Sequence, residues 1–318
     1  DYTKTTDEKL RHFRNAIHFD GIGRFLAIAH LNFNAIEVKL DQLDVKKTPS
    51  LWMMVHDECP ELVQRKLSDY VCDGGKLILM GHIPVRDDNH KPCTILKDTF
   101  GIIRLIDPKS DKIDAFGYSE IPVSLLQTVE GETGVVFALA LDHHCVGFTK
   151  PIGKGKVCFL GAALSTNCLD DLDVYYKISQ LMGLKPAFDS FDWIDARVLK
   201  GPLGNFLCLN NYQDDPWNDT VSLKGKILFE GRPIELPARS GLILPMDVQL
   251  NDDLKLNYST TELRKIETGK NRIVLHFSSD GYVKIESNIY QVDETPEVVI
   301  NPKDVFLKGN TLNLIRKG

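Results

Sequence analysis

The chain has 318 residues, roughly two domains at ordinary sizes. Its formal net charge is −6 and it holds no basic cluster with interleaved aromatics, which argues against a nucleic-acid partner. No apolar run reaches the ~18 residues of a membrane span, while 43% hydrophobic content is enough for sizeable buried cores.

The seven cysteines are odd in number, scattered, and free of any C-x-x-C pair. They read as reduced thiols of a cytoplasmic protein. Two glycosylation triplets, Asn218-Asp219-Thr220 and Asn257-Tyr258-Ser259, carry no weight without a signal peptide. The first residue is Asp1 rather than Met, so the chain reads as a processed product or an excised piece.

In chain order, Thr6 or Asp7 caps a predicted helix to about His30, with Leu10, Phe13, Ile17, Phe25, Ile28 and Ala29 as its buried stripe. Gly21 and Gly23 interrupt it, which predicts a kink or two helices. Ala35–Leu40 is a predicted strand, and Asp41–Ser50 a polar loop. Leu51–Val55 and Leu77–Met80 are short apolar runs of the kind that form buried parallel strands. Between them Leu62, Val63, Leu67, Tyr70 and Val71 line one helical face, and Glu61, Gln64, Arg65 and Asp69 the other. Pro60 suits the start of this helix and Gly74-Gly75 its end. The three elements make a βαβ unit.

Arg86–Pro92 is a polar loop, Thr94–Phe100 a short helix, and Gly101–Ile106 a strand. Asp107–Glu132 has no clean period and receives no assignment. Val135–Leu141 and Lys156–Leu160 are buried strands, with a tight turn at Gly153–Gly155. A closing helix carries Leu172, Tyr175, Ile178, Leu181 and Met182. Residues 1–188 thus read as an α/β domain with a mostly parallel sheet.

From Asp192 onward the period is two. Leu223, Ile227 and Phe229 alternate with polar positions, as do Leu254, Leu256 and Tyr258; Ile273, Leu275 and Phe277; and Val283 and Ile285. This half is all-β. Residues 189–262 form one β module, and 263–318 a second or a continuation of the first.

Four kinds of chemistry are weighed. After Lys76–Met80, where a nucleophile would sit on a sharp turn, stands Gly81-His82-Ile83-Pro84, with neither thiol nor hydroxyl. Cys145 lies beside His143 and His144, but neighbours on an extended chain point to opposite faces, so it reads as a strand end. Asp142, His143, His144, Asp170, Asp171 and Asp173 resemble metal ligands, yet helix capping accounts for the acidic run. Gly153-Lys154-Gly155-Lys156 precedes a strand, the wrong setting for a phosphate loop. Trp193, Tyr212, Trp217 and Tyr258 are the aromatics that could stack on a sugar, against packing as the ordinary use. No catalytic, cofactor-binding or metal residue is assigned, and no cofactor is expected.

Several runs resemble the C-terminal part of bacterial β-galactosidases of glycoside hydrolase family thirty-five. They are LWMMVHDECPELVQRKLSDYVCDGGKLILMGHIP, KPCTILKDTFGI, GKGKVCFLGAALS, FLCLNNYQDDP, LPARSGLILPMDVQLN and YSTTEL. The resemblance implies a flavodoxin-like, class I glutamine amidotransferase-like domain of the kind also called a trimerisation domain, followed by one or two small β-sandwich modules. It also implies a catalytic (β/α)₈ barrel upstream; at ~250 residues, no room for one remains here. The amidotransferase pattern calls for a G-x-C-x-G elbow where this chain has Gly81-His82-Ile83, and for His-Pro-Glu where it has Leu160-Gly161-Ala162. The covalent step is therefore lost. The expected role is a non-catalytic accessory and oligomerisation region of a β-galactosidase. Its partners would be the upstream barrel and further copies of itself, with Arg86–Pro92, including Asp87 and Asp88, reaching a neighbouring active-site rim. The alternatives are a carbohydrate-binding or regulatory module using Trp217 or Tyr212, and a stand-alone hydrolase using Cys145.

Overall fold

A computed structural model describes residues 21–164, 169–188, 194–293, 298–301 and 304–317. The expected helix is seen only as residues 21–28; Leu10, Phe13, Ile17, Cys168 and Trp193 lie outside the described residues. The chain divides into two compact units. One comprises the described residues to Leu26 with Phe33–Lys185; the other comprises Ala27–Asn32 with the described residues from Pro186.

The first unit is built on the expected βαβ core. Ser50–Val55 and Lys76–Gly81 pair in parallel, from Ser50↔Lys76 to Val55↔Gly81. Gly155–Leu160 joins the far side of Lys76–Gly81, also in parallel. Beyond it the sheet turns antiparallel, through Cys145–Ile152, Val135–Ala140, Lys112–Ala115 and Tyr118–Pro122. The sheet is therefore mixed, not mostly parallel. The physical reason is the tight turn at Gly153-Lys154, which folds Cys145–Ile152 straight back on Gly155–Leu160 with no crossover. Four strands lie in the unassigned stretch: Lys112–Ala115, Tyr118–Pro122, Leu125–Leu126 and Thr128–Gly131. Residues 35–37 have no regular structure and 38–40 form a turn, so the strand expected over Ala35–Leu40 is absent.

Alternation along the strands covers both faces of the sheet. Leu51, Val55, Leu77 and Leu79 share a core with Val63, Leu67, Tyr70 and Val71 of the helix Glu61–Cys72. Trp52, from the alternate set, meets Phe25 at 5.6 Å between ring centroids and Tyr175 at 6.3 Å. Tyr175 belongs to the helix Leu169–Leu181. Two sequence expectations for the Glu61–Cys72 helix are corrected. Leu62 is 52% exposed, and Gln64 is fully buried. The Gln64 amide donates to the Cys59 carbonyl at 2.9 Å and accepts from Leu96 N–H at 3.4 Å. Buried polar groups without partners are costly, so these bonds are what let a glutamine occupy an apolar face.

The second unit is all-β. Its seven-stranded antiparallel sheet runs Ile194–Gly201, Gly204–Asn211, Gly241–Asn251, Leu254–Ser259, Gly281–Ser287, Asp304–Leu307, Val298–Asn301. A four-stranded sheet runs Leu263–Thr268, Arg272–Phe277, Thr311–Arg316, Tyr290–Val292. The two share a core in which Val248, Leu254 and Leu256 meet Ile273, Leu275, Leu312 and Leu314. The larger sheet takes strands from both sides of residue 262. Leu254, Leu256 and Tyr258 point inward as their period requires. Leu223, Ile227 and Phe229 do not form one strand; Ile227 is exposed and Phe229 is buried in a 3₁₀ turn.

Gly81 and Gly117 both have positive φ, +89° and +90°, but only Gly81 is crowded: a Cβ there would lie 2.5 Å from the Val55 carbonyl oxygen. Gly117→Ala should cost about 1 kcal/mol, the strain of the backbone alone. Gly81→Ala should cost about 3 kcal/mol, because the parallel pair must also separate. Urea unfolding of both variants checks the ranking, and equal costs would refute it.

Candidate functional site

In an open sheet with parallel strands, ligands favour the edge where those strands end. At this edge, past Val55 and Gly81, the chain places His56-Asp57-Glu58 beside His82-Ile83-Pro84. Val55 accepts a hydrogen bond from His82 N–H at 2.8 Å, so the two exits stay together. His82 Nδ1 lies 2.6 Å from Asp57 Oδ1. The imidazole is mostly sheltered, its side chain 18% exposed, while the carboxylate is 66% exposed. The His56 ring stands edge-on to that of His82, 6.3 Å between centroids. The hydrogen bond from His82, aided by the charges of His82, His56 and Arg86, holds the Asp57 carboxyl below its ordinary range against a smaller opposing effect of burial.

The neighbouring loop is fixed from within. Asp57 O accepts Val85 N–H at 3.0 Å and Arg86 N–H at 3.2 Å, and Cys59 N–H donates to Arg86 O at 3.0 Å. Asp87 is only 8% exposed. Its carboxylate accepts the backbone N–H groups of Asn89 at 2.9 Å and Lys91 at 2.8 Å. Glu58 Oε1 meets His90 Nδ1 at 2.7 Å. Asp88 is exposed.

This edge joins an imidazole to a carboxylate, an arrangement able to hold and orient a proton. It carries no hydroxyl or thiol at the turn, where Gly81-His82-Ile83 stands. The N–H of Ile83 is occupied by Gln127 Oε1 at 2.8 Å. At the other expected catalytic position, Gly161 N–H is held by Val146 O at 2.7 Å, and a Cβ on Gly161 would fall 2.1 Å from the Gln127 carbonyl oxygen. Both backbone polar groups of Gly161 are thus used within the fold, its O accepting Gln127 N–H at 2.6 Å.

The remaining sequence candidates stay apart from this edge. Asp142, His143 and His144 make the hairpin turn before Cys145–Ile152, with His143 at φ +66°. Burial pushes the Cys145 thiol up to about 11, so it is protonated at neutral pH and a poor nucleophile. Asp173 accepts from Tyr118 OH at 2.8 Å and pairs with Lys177 at 2.9 Å; Asp171 is buried. Among the described residues no group of three or more His, Cys, Asp or Glu has a geometry suited to a metal ion. At Gly153–Lys156 the glycines serve close packing: a Cβ on Gly155 would lie 2.3 Å from the Val71 and Gly75 oxygens, and Lys156 Nζ donates to Leu181 O at 2.6 Å. Trp217 packs against the core of the second unit and Tyr258 is buried 5.6 Å from Phe229, whereas Tyr212 is 61% exposed. The His82–Asp57 and Glu58–His90 pairs are absent from the candidates that the sequence suggests. Their signal was polar residues directly after two adjacent strands.

Residues 1–134 match the family described as GLMA-like, second domain. The chain is 28% identical over 255 residues to an exo-β-D-glucosaminidase of Pyrococcus horikoshii, covering 76% of this chain and 31% of that protein. It is 31% identical over 211 residues to a β-1,2-glucosyltransferase of Ignavibacterium album, covering 64% of this chain and 29% of that protein. Its fold is similar to part of the β-galactosidase of Bacillus circulans sp. alkalophilus, with TM-score 0.52, 16% identity, and coverage of 72% of this chain and 37% of that one. It is also similar to part of a GH42 β-galactosidase of G. stearothermophilus, with TM-score 0.55, 14% identity, and coverage of 77% and 37%. The chain thus spans about a third of the length of each of these four proteins. Its likeness is to part of proteins named as glycoside hydrolases and, in one case, a glucosyltransferase, and the matches do not single out family thirty-five.

Replacing His82 by Ala removes the largest influence on Asp57, whose carboxyl should then titrate closer to the ordinary 3.8. A depressed carboxyl stabilises the fold above that ordinary value, and the contribution is lost as pH falls through the lower folded value. The variant should therefore lose less stability than the parent on acidification below about pH 4. NMR titration of the Asp57 carboxyl carbon tests this; an unmoved midpoint would refute the assignment.

Proposed function

We propose that the chain is a non-catalytic accessory region of a β-glycoside-cleaving enzyme. The polypeptide that carries it would supply the catalytic barrel upstream. The supporting observation is the pairing of two features: a fold shared with about a third of several β-galactosidase chains, and a strand-end turn that carries an imidazole–carboxylate pair but no hydroxyl or thiol. The first unit would act as an amidotransferase-like scaffold, the α/β part of a 1–188 domain, with 189–262 and 263–318 as its β modules. Sheet faces covered by packed side chains suit the assembly of copies, and a cytoplasmic enzyme fits the free thiols of the six described cysteines. Family thirty-five would be one home for such a region; exo-glucosaminidases and family forty-two enzymes are the others that the likenesses favour.

Within this proposal the 86–92 loop reaches a neighbouring subunit's active-site rim. The structure separates its two aspartates. Asp87→Ala should cost about 2 kcal/mol, since two backbone donors lose a charged acceptor. Asp88→Ala should leave stability unchanged yet raise KM or weaken assembly of the whole enzyme. Steady-state kinetics and sedimentation of the Asp88 variant decide the loop's role: parental values for both would end it.

A second reading is a carbohydrate-binding or regulatory module. The exposure of Tyr212 favours it; Trp217 does not, being packed. The isolated 318-residue chain should show no turnover of nitrophenyl β-galactoside or β-glucosaminide. Turnover abolished by His82→Ala would overturn the non-catalytic assignment.

A further inference from the structure

The second unit carries an open depression of about 420 Å³, lined by Asn210, Asn211, Tyr212, Arg239, Ser240 and Gly241. That volume falls within the ~300–1,000 Å³ usual for small-ligand sites. Two chain segments meet there: the end of strand Gly204–Asn211 with residues 212–215, and residues 237–241 leading into strand Gly241–Asn251. They are tied by a dense set of bonds. Asn211 N–H donates to Ser240 O at 2.8 Å and Arg239 N–H to Gln213 O at 3.1 Å. The Asn211 side-chain amide, almost wholly buried, donates to Asp215 O at 2.8 Å and Pro237 O at 3.2 Å, and its oxygen accepts Gln213 N–H at 2.9 Å. Ser240 Oγ donates to Pro237 O at 2.7 Å.

Arg239 sits at φ +50°, a conformation uncommon for a residue with a Cβ. It is held there by the bond to Gln213, and its Nε pairs with the Asp214 carboxylate. Strained backbone that the surroundings overdetermine is a mark of binding sites. Above this floor the Tyr212 ring is exposed. An exposed aromatic ring beside the Asn210 amide and a guanidinium paired with a carboxylate suits a ligand with an apolar C–H face and hydroxyls around its rim. The opposite charges of Arg239 and Asp214 cancel, which disfavours an anion such as a phosphate.

We infer that this depression is a binding subsite for a neutral pyranoside sugar, stacked on Tyr212 and oriented by Asn210 and Arg239. The inference takes its ligand class from the glycoside-hydrolase reading above and goes beyond it by placing a sugar on the β unit. The subsite would hold a glycan chain beside the catalytic part of the enzyme without taking part in bond cleavage.

The test is isothermal titration of the whole protein carrying this chain with methyl β-glucoside, methyl β-galactoside and cellobiose. The parent, Tyr212→Ala and Tyr212→Phe proteins are compared. Tyr212 is a surface side chain, so both variants should fold, and equal thermal midpoints confirm it. The expected result is millimolar binding of at least one sugar, weakened about fivefold or more in Tyr212→Ala and largely kept in Tyr212→Phe. Arg239→Ala should weaken the same binding event. Identical isotherms for the parent and Tyr212→Ala, or no heat from any sugar with the parent, would overturn the subsite. Such a failure leaves the accessory-region reading intact, because that reading stands or falls on turnover by the isolated chain.

Discussion

The close approach of Gly81 to Val55 governs the first unit. Their pairing ends the parallel register, and the Val55 carbonyl then receives the His82 N–H. A side chain at position 81 would occupy the space beside that carbonyl. With hydrogen there, the two strands stay joined to their last residue, and both chain segments leave the sheet at one edge. His82 consequently meets Asp57, and His56 stands over the pair. Glu58 is carried to His90 by the same geometry, and Asp57 O anchors the loop that bears Asp87. The alternating apolar residues of both strands make this possible, since each face of the sheet is covered by its own set of side chains.

The edge is polar but its backbone is already engaged. Ile83 N–H is held by Gln127, Gly161 N–H by Val146, and Asp87 is committed to Asn89 and Lys91. A catalytic oxyanion site needs backbone donors left open for a developing charge. Here the donors at the two positions where the amidotransferase pattern would use them are spent on the fold. The turn that lacks a thiol and a hydroxyl thus also has its backbone donor engaged.

Much of the fold was legible because it rests on strong local patterns. The strands around the Glu61–Cys72 helix are uninterrupted apolar runs, and glycines mark the helix end. The β character of the second unit followed from period-two alternation, as at Leu254, Leu256 and Tyr258. Strand direction is not legible in the strands themselves, since a fully buried strand has much the same composition in either orientation. The turn at Gly153-Lys154 nonetheless implied it, for two residues cannot connect parallel strands. Residues 107–132 stayed dark because their strands are two to five residues long, half exposed, and broken by register shifts near Ile113 and Ile102. Gln64 misled because its helical face was judged by polarity, whereas carbonyl groups from three loop residues, Cys59, Arg86 and Cys93, gather around its amide.

The candidate sites were less legible, and for a different reason. His82–Asp57 joins residues 25 apart and Glu58–His90 joins residues 32 apart, so neither pair has a sequence spacing that announces it. Only the parallel register brings the first together. Tyr212 and Trp217 looked equivalent as sugar-stacking aromatics, five positions apart in one segment. The fold distinguishes them through the bonds of Asn211. The Asn211 side-chain amide ties the loop to Asp215 O and Pro237 O and its backbone N–H ties it to Ser240 O; Tyr212 beside it is exposed, while Trp217 enters a short strand and packs on the core. The exposure of one aromatic and the packing of the other rest on bonds between segments 26 or more residues apart, of which the composition of the segment alone contains no trace.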